Sequence, residues 1–344
     1  MAYTTIDDPT LYFSSTIWTG NGSDDRAIVI DGTGMQPNFV WIKSRNDTDN
    51  HRLVDSVRGA TKHMESDGSG AEQTSSNVKT FTSTGVTLST NGSVNANSEL
   101  YASWAWKAGT AFSNDASSTS IGSIDSTGSV STAAGFSIIS WTGDGNDGAT
   151  IAHGLGATPA IVITKRRDDT GDWLVGGSLI NTARGGANSL LLLNTTAAMD
   201  NNSEVYQTFS STTFQVGVNA YTNTNNATMI SYCFAEKKGY SKFGSYVGNG
   251  NANGTFVYTG FKPAFVIFKR SSGTGNWQLL DNKRLGYNVE NHTIYPNSTI
   301  VEQDETDGDI LSNGFKLRNT GTDGNGSGST YIYMAFAENP FVTS

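Results

Sequence analysis

Three stretches of the chain are apolar at nearly every position and end in a lysine: Phe39-Val40-Trp41-Ile42-Lys43, Ile161-Val162-Ile163-Thr164-Lys165 and Phe265-Val266-Ile267-Phe268-Lys269. Unbroken runs of β-branched and aromatic residues of this length predict strands covered on both faces. A second set, Tyr101 to Trp106, Met229 to Phe234 and Tyr331 to Phe336, predicts strands paired with the segments just before them, Ser83 to Leu88, Ser211 to Val216 and Ser312 to Leu317. Others alternate: Phe315 and Leu317 fall on one side of a strand, Lys316 and Arg318 on the other, which predicts one core face and one wet face. Gly or Asn interrupts nearly every window long enough for a helix, and no apolar pattern of period 3.6 persists over three turns. The expected fold is all-β.

The runs belong to a repeat. Trp18-Thr19-Gly20-Asn21-Gly22, Trp141-Thr142-Gly143-Asp144-Gly145 and Tyr246-Val247-Gly248-Asn249-Gly250 open the copies, and Pro37, Pro159 and Pro263 each stand 6 residues before the lysine. His51, Trp173 and Trp277 each follow that lysine by 8 residues. Three tandem, similar β-sandwich-like domains follow: 13–108, 135–238 and 239–344, preceded by an N-terminal arm, 1–12, offered as an anchor. Residues 109–134, almost wholly Ser, Thr, Gly, Ala and Asp, read as a linker that leaves the first domain mobile. The prolines, lacking a backbone donor, mark strand boundaries.

The chain has 344 residues and a formal charge of −9, against the Lys/Arg surplus a nucleic-acid binder needs. No apolar run is long enough for a membrane-spanning helix, and no signal peptide is expected from the polar start. The single cysteine, Cys233, excludes an internal disulfide. His51, His63, His153 and His292 lack zinc-ligand spacing, and the Gly/Asp/Asn strings complete neither a calcium loop nor a phosphate loop, so they read as hairpin turns. Neither a catalytic residue, a metal site nor a cofactor is assigned, and the expected protein is not an enzyme.

Two sets of repeated residues are candidates for contact. Trp173 and Trp277 follow polar loops, as sugar-stacking rings do, and His51 holds the same place in the first copy. These three are the candidate glycan or subunit contacts, weighed against a packing role at the same position in each copy. Lys43, Lys165 and Lys269 read as solvated strand ends, with ion pairs to Asp55 and Asp281 of the same copies, or to a neighbouring subunit, as the alternative.

Met35-Gln36-Pro37-Asn38-Phe39-Val40-Trp41-Ile42-Lys43, Asp55-Ser56-Val57-Arg58-Gly59, Phe234-Ala235-Glu236, Lys242-Phe243-Gly244-Ser245-Tyr246 and Tyr331 through Pro340 are phrases that resemble a repeat domain in virion structural proteins of marine, cyanophage-like tailed bacteriophages. The likeness runs from about Tyr12 to Phe341. It implies a noncatalytic protein on the exterior of the particle, decorating the capsid or attached to the tail, and present in host cytoplasm during assembly. The implied partners are other virion proteins in a homo-oligomeric or multicopy assembly; the alternative is a tail adhesin for host surface glycan. Neither nucleic acid nor membrane insertion is implied.

Overall fold

The computed structural model describes residues 4–30, 34–284, 288 and 290–340. The first unit contributes β1 (Phe13–Thr19), β2 (Arg26–Val29), β3 (Phe39–Ser44), β4 (Arg52–Asp55), β5 (Lys62–Met64), β6 (Gln73–Thr74), β7 (Val78–Thr82), β8 (Gly85–Leu88), the helical turn α1 (Gly92–Asn95) and β9 (Leu100–Trp106). These make a larger sheet in the order β1-β9-β3-β4-β5-β6 and a smaller one in the order β2-β8-β7.

The second unit contains β10 (Thr110–Asn114), α2 (Ala116–Thr119), β11 (Ser126–Ser131), β12 (Phe136–Thr142), β13 (Ala149–Ala152), β14 (Ile161–Arg166), β15 (Leu174–Gly176), α3 (Ser178–Arg184), β16 (Ser189–Leu192), β17 (Asp200–Asn201), β18 (Tyr206–Phe209), β19 (Thr213–Val216) and β20 (Thr228–Phe234). Its sheets run β10-β11-β12-β20-β14-β15-β16-β17 and β13-β19-β18. The third contains β21 (Ser241–Val247), β22 (Phe256–Tyr258), β23 (Phe261–Arg270), β24 (Trp277–Asp281), β25 (Glu290–Thr293), β26 (Gln303–Leu311), β27 (Gly314–Leu317) and β28 (Thr330–Pro340), in sheets β21-β28-β23-β24 and β22-β27-β26-β25. The fold is all-β and sandwich-type, with two antiparallel sheets in each of these three stretches of the chain.

The closing strands β9, β20 and β28 do not pair with β8, β19 and β27, which lie in the other sheet of each unit; they pair with the lysine-ended strands β3, β14 and β23 instead. Register supports the repeat. Phe39, Ile161 and Phe265 lie opposite Trp106, Phe234 and Phe336, and Lys43, Lys165 and Lys269 lie opposite Ala102, Ile230 and Ile332. Pro37 and Pro159 precede their strands by two residues; Pro263 sits inside β23 at an irregularity in its pairing with β28, where a missing donor does least harm.

The continuous apolar runs follow from what covers each face. Val40 and Ile42 face a core private to the first unit, while Phe39 and Trp41 face a core shared by all three. Val162 faces the private core of the second unit, and Ile161 and Ile163 the shared one; Val266 and Phe268 likewise oppose Phe265 and Ile267 in the third. Each sheet that carries one of these runs therefore has one face in its own sandwich and the other against the remaining two units. Rings meet across the unit boundaries, with Phe39 stacked on Tyr232 at 4.3 Å between centroids, Trp106 edge-on to Phe265 at 5.5 Å and Phe234 against Phe336 at 6.0 Å.

This arrangement corrects three expectations. The supposed linker is structure: β10 and β11 extend the second unit's larger sheet, and Ile124 and Val130 are buried in its core. Hydrogen bonding of successive small residues, rather than apolar content, orders it. The first unit is tied to the others through the shared core and is not a loosely linked domain. Of the N-terminal arm, Met1 to Tyr3 lie outside the described residues. From Thr4 onward it folds back, with Ile6 in the shared core and Tyr12 edge-on to Tyr240 at 6.1 Å, so this part is not a free anchor.

Candidate functional site

Side chains repeated at fixed spacing close the three units into a ring. Eight residues past each lysine the chain places a ring under the neighbouring unit. Trp173 Nε1 donates to the Glu65 carbonyl of the first unit at 2.8 Å, and Trp277 Nε1 donates to the Leu192 carbonyl of the second at 2.8 Å. His51 Nδ1 accepts from Trp41 Nε1 at 2.8 Å, so the ring proton sits on Nε2, which donates to the Tyr295 carbonyl of the third unit at 3.1 Å. Unit two contacts one, three contacts two, and one contacts three.

A set of backbone bonds follows the same circuit. Glu72 N–H donates to the Arg167 carbonyl at 2.8 Å, Met199 N–H to Ser271 at 3.1 Å and Glu302 N–H to Arg45 at 2.8 Å. At two of these places carboxylates add charge-assisted bonds: Glu302 accepts from Arg45 at 2.8 and 2.9 Å, and Glu72 accepts from Arg167 at 2.9 and 3.2 Å.

The turns after β4 and β24 supply a third contact. Asp55 and Arg58 form a fully buried pair, and both bond the Tyr232 hydroxyl of the second unit, which donates to Asp55 at 2.8 Å and accepts from Arg58 at 3.2 Å. Asp281 and Arg284 repeat the arrangement against Trp104 of the first unit, whose Nε1 donates to Asp281 at 3.0 Å while the guanidinium lies 5.9 Å from the ring centroid. In the corresponding strand position the third unit has Met334, and the second unit offers α3 with buried Ile180 instead of an Asp–Arg pair. A polar ring tip faces an ion pair, and an apolar side chain shares the core with an apolar one. Burial works to raise the Asp281 carboxyl, but Arg284 beside it holds it below its ordinary value.

Hence the three candidate contact residues are interior. His51 and Trp173 are fully buried and Trp277 is 3% exposed, so none can stack on an external sugar; the contacts they make are between units of one chain. The lysines also differ from the expected solvated termini. Lys43, Lys165 and Lys269 are fully buried, and burial pulls each down to about 8. Their Nζ atoms donate to the carbonyls of Ser44 at 2.8 Å, Arg166 at 2.8 Å and Arg270 at 3.0 Å, holding the chain where it leaves the strand. Asp55 and Asp281 pair with arginines rather than with these lysines.

One repeated residue escaped the sequence reading. Asn95, Asn223 and Asn325 are fully buried, and their Oδ1 atoms accept from the backbone of Asn21, Asp144 and Asn249. They clamp the Gly-x-Gly turns that open each copy. A Cβ on Gly20 would lie 1.8 Å from the Ala96 carbonyl oxygen, and Gly22 has φ 65°, so one glycine permits close approach and the other the left-handed turn. The signal was the spacing of an asparagine shortly before each closing strand, hidden by the abundance of Asn in loops.

An open concavity of about 560 Å³ lies on the second unit among Ser123, Asp125, Thr127, Ser140, Thr142 and Asp144. Burial works to raise the Asp144 carboxyl, but hydrogen bonds from Asn146 and Asn223 hold it below its usual value. Asp125 accepts from Ala116 N–H at 2.8 Å. These groups can offer hydrogen bonds to a polar ligand. Elsewhere, burial pushes the Cys233 thiol up to about 12, which keeps it a packing group. Among the described residues, no group of three or more His, Cys, Asp or Glu is placed to hold a metal ion, and no helix is long and apolar enough to cross a membrane.

A family model described as a domain of unknown function, DUF7483, matches residues 8–340. No curated protein and no solved structure matches the chain.

Proposed function

The chain belongs to the DUF7483 family, and we propose that it is a noncatalytic structural protein on the exterior of a tailed-phage particle, decorating the capsid or associated with the tail in many copies. The observation that carries this reading is where the repeated side chains go. The rings, lysines and asparagines that recur at equal spacing are buried and bonded to backbone of their own or the adjacent unit. Repetition is thereby spent on rigidity, while neutral polar loops face solvent. The likeness of its phrases to virion repeat domains supports the proposed location.

The glycan-binding alternative loses Trp173 and Trp277 as contacts and rests on the hydroxyl- and carboxylate-lined concavity of the second unit. Quantitative mass spectrometry of purified particles, with surface biotinylation of exposed lysines, tests the main reading. It predicts a fixed multicopy stoichiometry and labelling without particle disruption. Absence from washed particles, or release of reducing sugar from host polysaccharide by the pure protein, contradicts it.

A further inference from the structure

The sheets β13-β19-β18 of the second unit and β22-β27-β26-β25 of the third end in equivalent strands, β13 and β22, and among the described residues only β13 is covered. Ile151 lies opposite Phe214 as Val257 lies opposite Phe315. In the third unit Leu317 N–H donates to Thr255 at 3.0 Å and Thr259 N–H to Asn313 at 3.0 Å. Antiparallel alternation then turns the backbone groups of Val257 inward and those of Phe256 and Tyr258 outward, away from β27.

In the second unit the outward groups are met by the chain's own residues 122–126. The Thr150 carbonyl accepts from the N–H groups of Ser123 at 2.8 Å and Ile124 at 3.2 Å, and Thr150 N–H donates to Ser123 Oγ at 2.9 Å. Ser126 Oγ donates to the Ala152 carbonyl at 3.0 Å. Ile124 runs parallel to Ile151 and buries its side chain in the core, leaving 7% exposed.

Along β22 no described residue makes these bonds. The strand bears no charge or proline, the usual protections of an open edge. Its rings stand in solvent instead, Phe256 at 45% and Tyr258 at 55%, with Val247 at 55% where Thr255 Oγ1 bonds its carbonyl. The equivalent strand of the first unit, β2, differs in opening with Arg26 after Asp24 and Asp25.

We propose that β22 is the docking edge for an extended polypeptide segment of a partner chain, laid parallel to β22 as residues 122–126 lie along β13. The covered strand defines the occupant's chemistry. It has an uncharged aliphatic residue at its centre, as Ile124 is, supplies N–H or hydroxyl donors to the outward carbonyls, as Ser123, Ile124 and Ser126 do, and lays its outer side chains against Phe256 and Tyr258. The inference stands whether or not the chain is part of a phage particle.

Two labelled octapeptides test it against the full chain by fluorescence anisotropy: one with the sequence of residues 120–127, and one carrying Ser123→Val and Asp125→Val. Saturable binding is expected for at least one. Tyr258→Pro, which removes an outward N–H without touching the β22–β27 ladder, should weaken it about tenfold, the worth of one lost hydrogen bond and its contacts. Should that variant melt earlier than the parent, Phe256→Ser with Tyr258→Ser serves in its place and should also weaken binding. No binding of either peptide at millimolar concentration overturns the proposal, as does binding indifferent to both variants. A concentration-dependent dimer abolished by Tyr258→Pro overturns it in favour of a second copy at this edge.

Discussion

Replacing His51 with glutamine should remove a defined part of the protein's acid sensitivity. His51 is fully buried as the neutral ring, receiving Trp41 Nε1 on one nitrogen and donating to Tyr295 from the other. Burial first, and then the Lys43 charge, pulls its pKa from 6.5 down to about 3. Because the folded value lies below the unfolded one, its contribution to stability is fully present above pH 6.5 and is lost as pH falls toward 3. At pH 5 the unfolded histidine has bound its proton and the folded one has not. The gap of about 1.5 units at about 1.36 kcal/mol each makes a loss of about 2 kcal/mol. His63 and His153, held near 4 by burial, lose stability in the same direction, while Asp307, raised to about 6 by burial, opposes them. The difference between parent and His51→Gln isolates the one residue, since glutamine keeps a donor for Tyr295 and does not titrate. Urea unfolding at pH 7.5 and 5.0, at fixed ionic strength, measures it. The parent should lose about 2 kcal/mol more than the variant over that interval. Equal losses would refute the buried neutral tautomer.

Other outcomes follow from the same contacts. Lys165, pulled to about 8, binds fewer protons folded than unfolded, so stability should rise from pH 8 to 10, and Lys165→Met should flatten that rise. The flattening, read by thermal melts, should reach about 2 kcal/mol. Trp277→Ala should cost about 3–5 kcal/mol from lost burial and the cavity together, and leaving the Leu192 carbonyl without its donor adds to this; denaturant midpoints measure it. A double-mutant cycle of Asp55→Asn and Tyr232→Phe should give a coupling of about 0.5–3 kcal/mol across the first two units, whereas additive effects would mean that the hydroxyl is not shared.

Much of the architecture was legible because strands covered on both faces cannot hide their apolar runs: Phe39 to Ile42 and Phe265 to Phe268 appear in the structure as the sequence predicts. The fate of Trp173, Trp277 and Lys165 was not legible. A ring that packs under a neighbouring unit has the same sequence neighbourhood as one at the surface of its own unit, and a lysine at a strand end says nothing of what closes over it. Thr110 to Ala134 misled for a different reason. Its order comes from backbone pairing of β10 with β11 and of residues 122–126 with β13, and small polar residues make those bonds without an apolar signal. The Asp–Arg pairs were visible as residues, but their partners, Tyr232 and Trp104, lie in other units, and no local spacing names them.

Because the three units share one core, they should fold as a single cooperative block. Differential scanning calorimetry of the whole chain and of the isolated third unit, residues 239–340, tests it most directly. One transition is expected for the whole chain, with van't Hoff and calorimetric enthalpies equal, and no cooperative transition for the isolated unit, whose Phe265, Met334 and Phe336 would be left uncovered. Reversible melting of the isolated unit at the temperature of the whole chain, or three separate transitions in the whole chain, would contradict it.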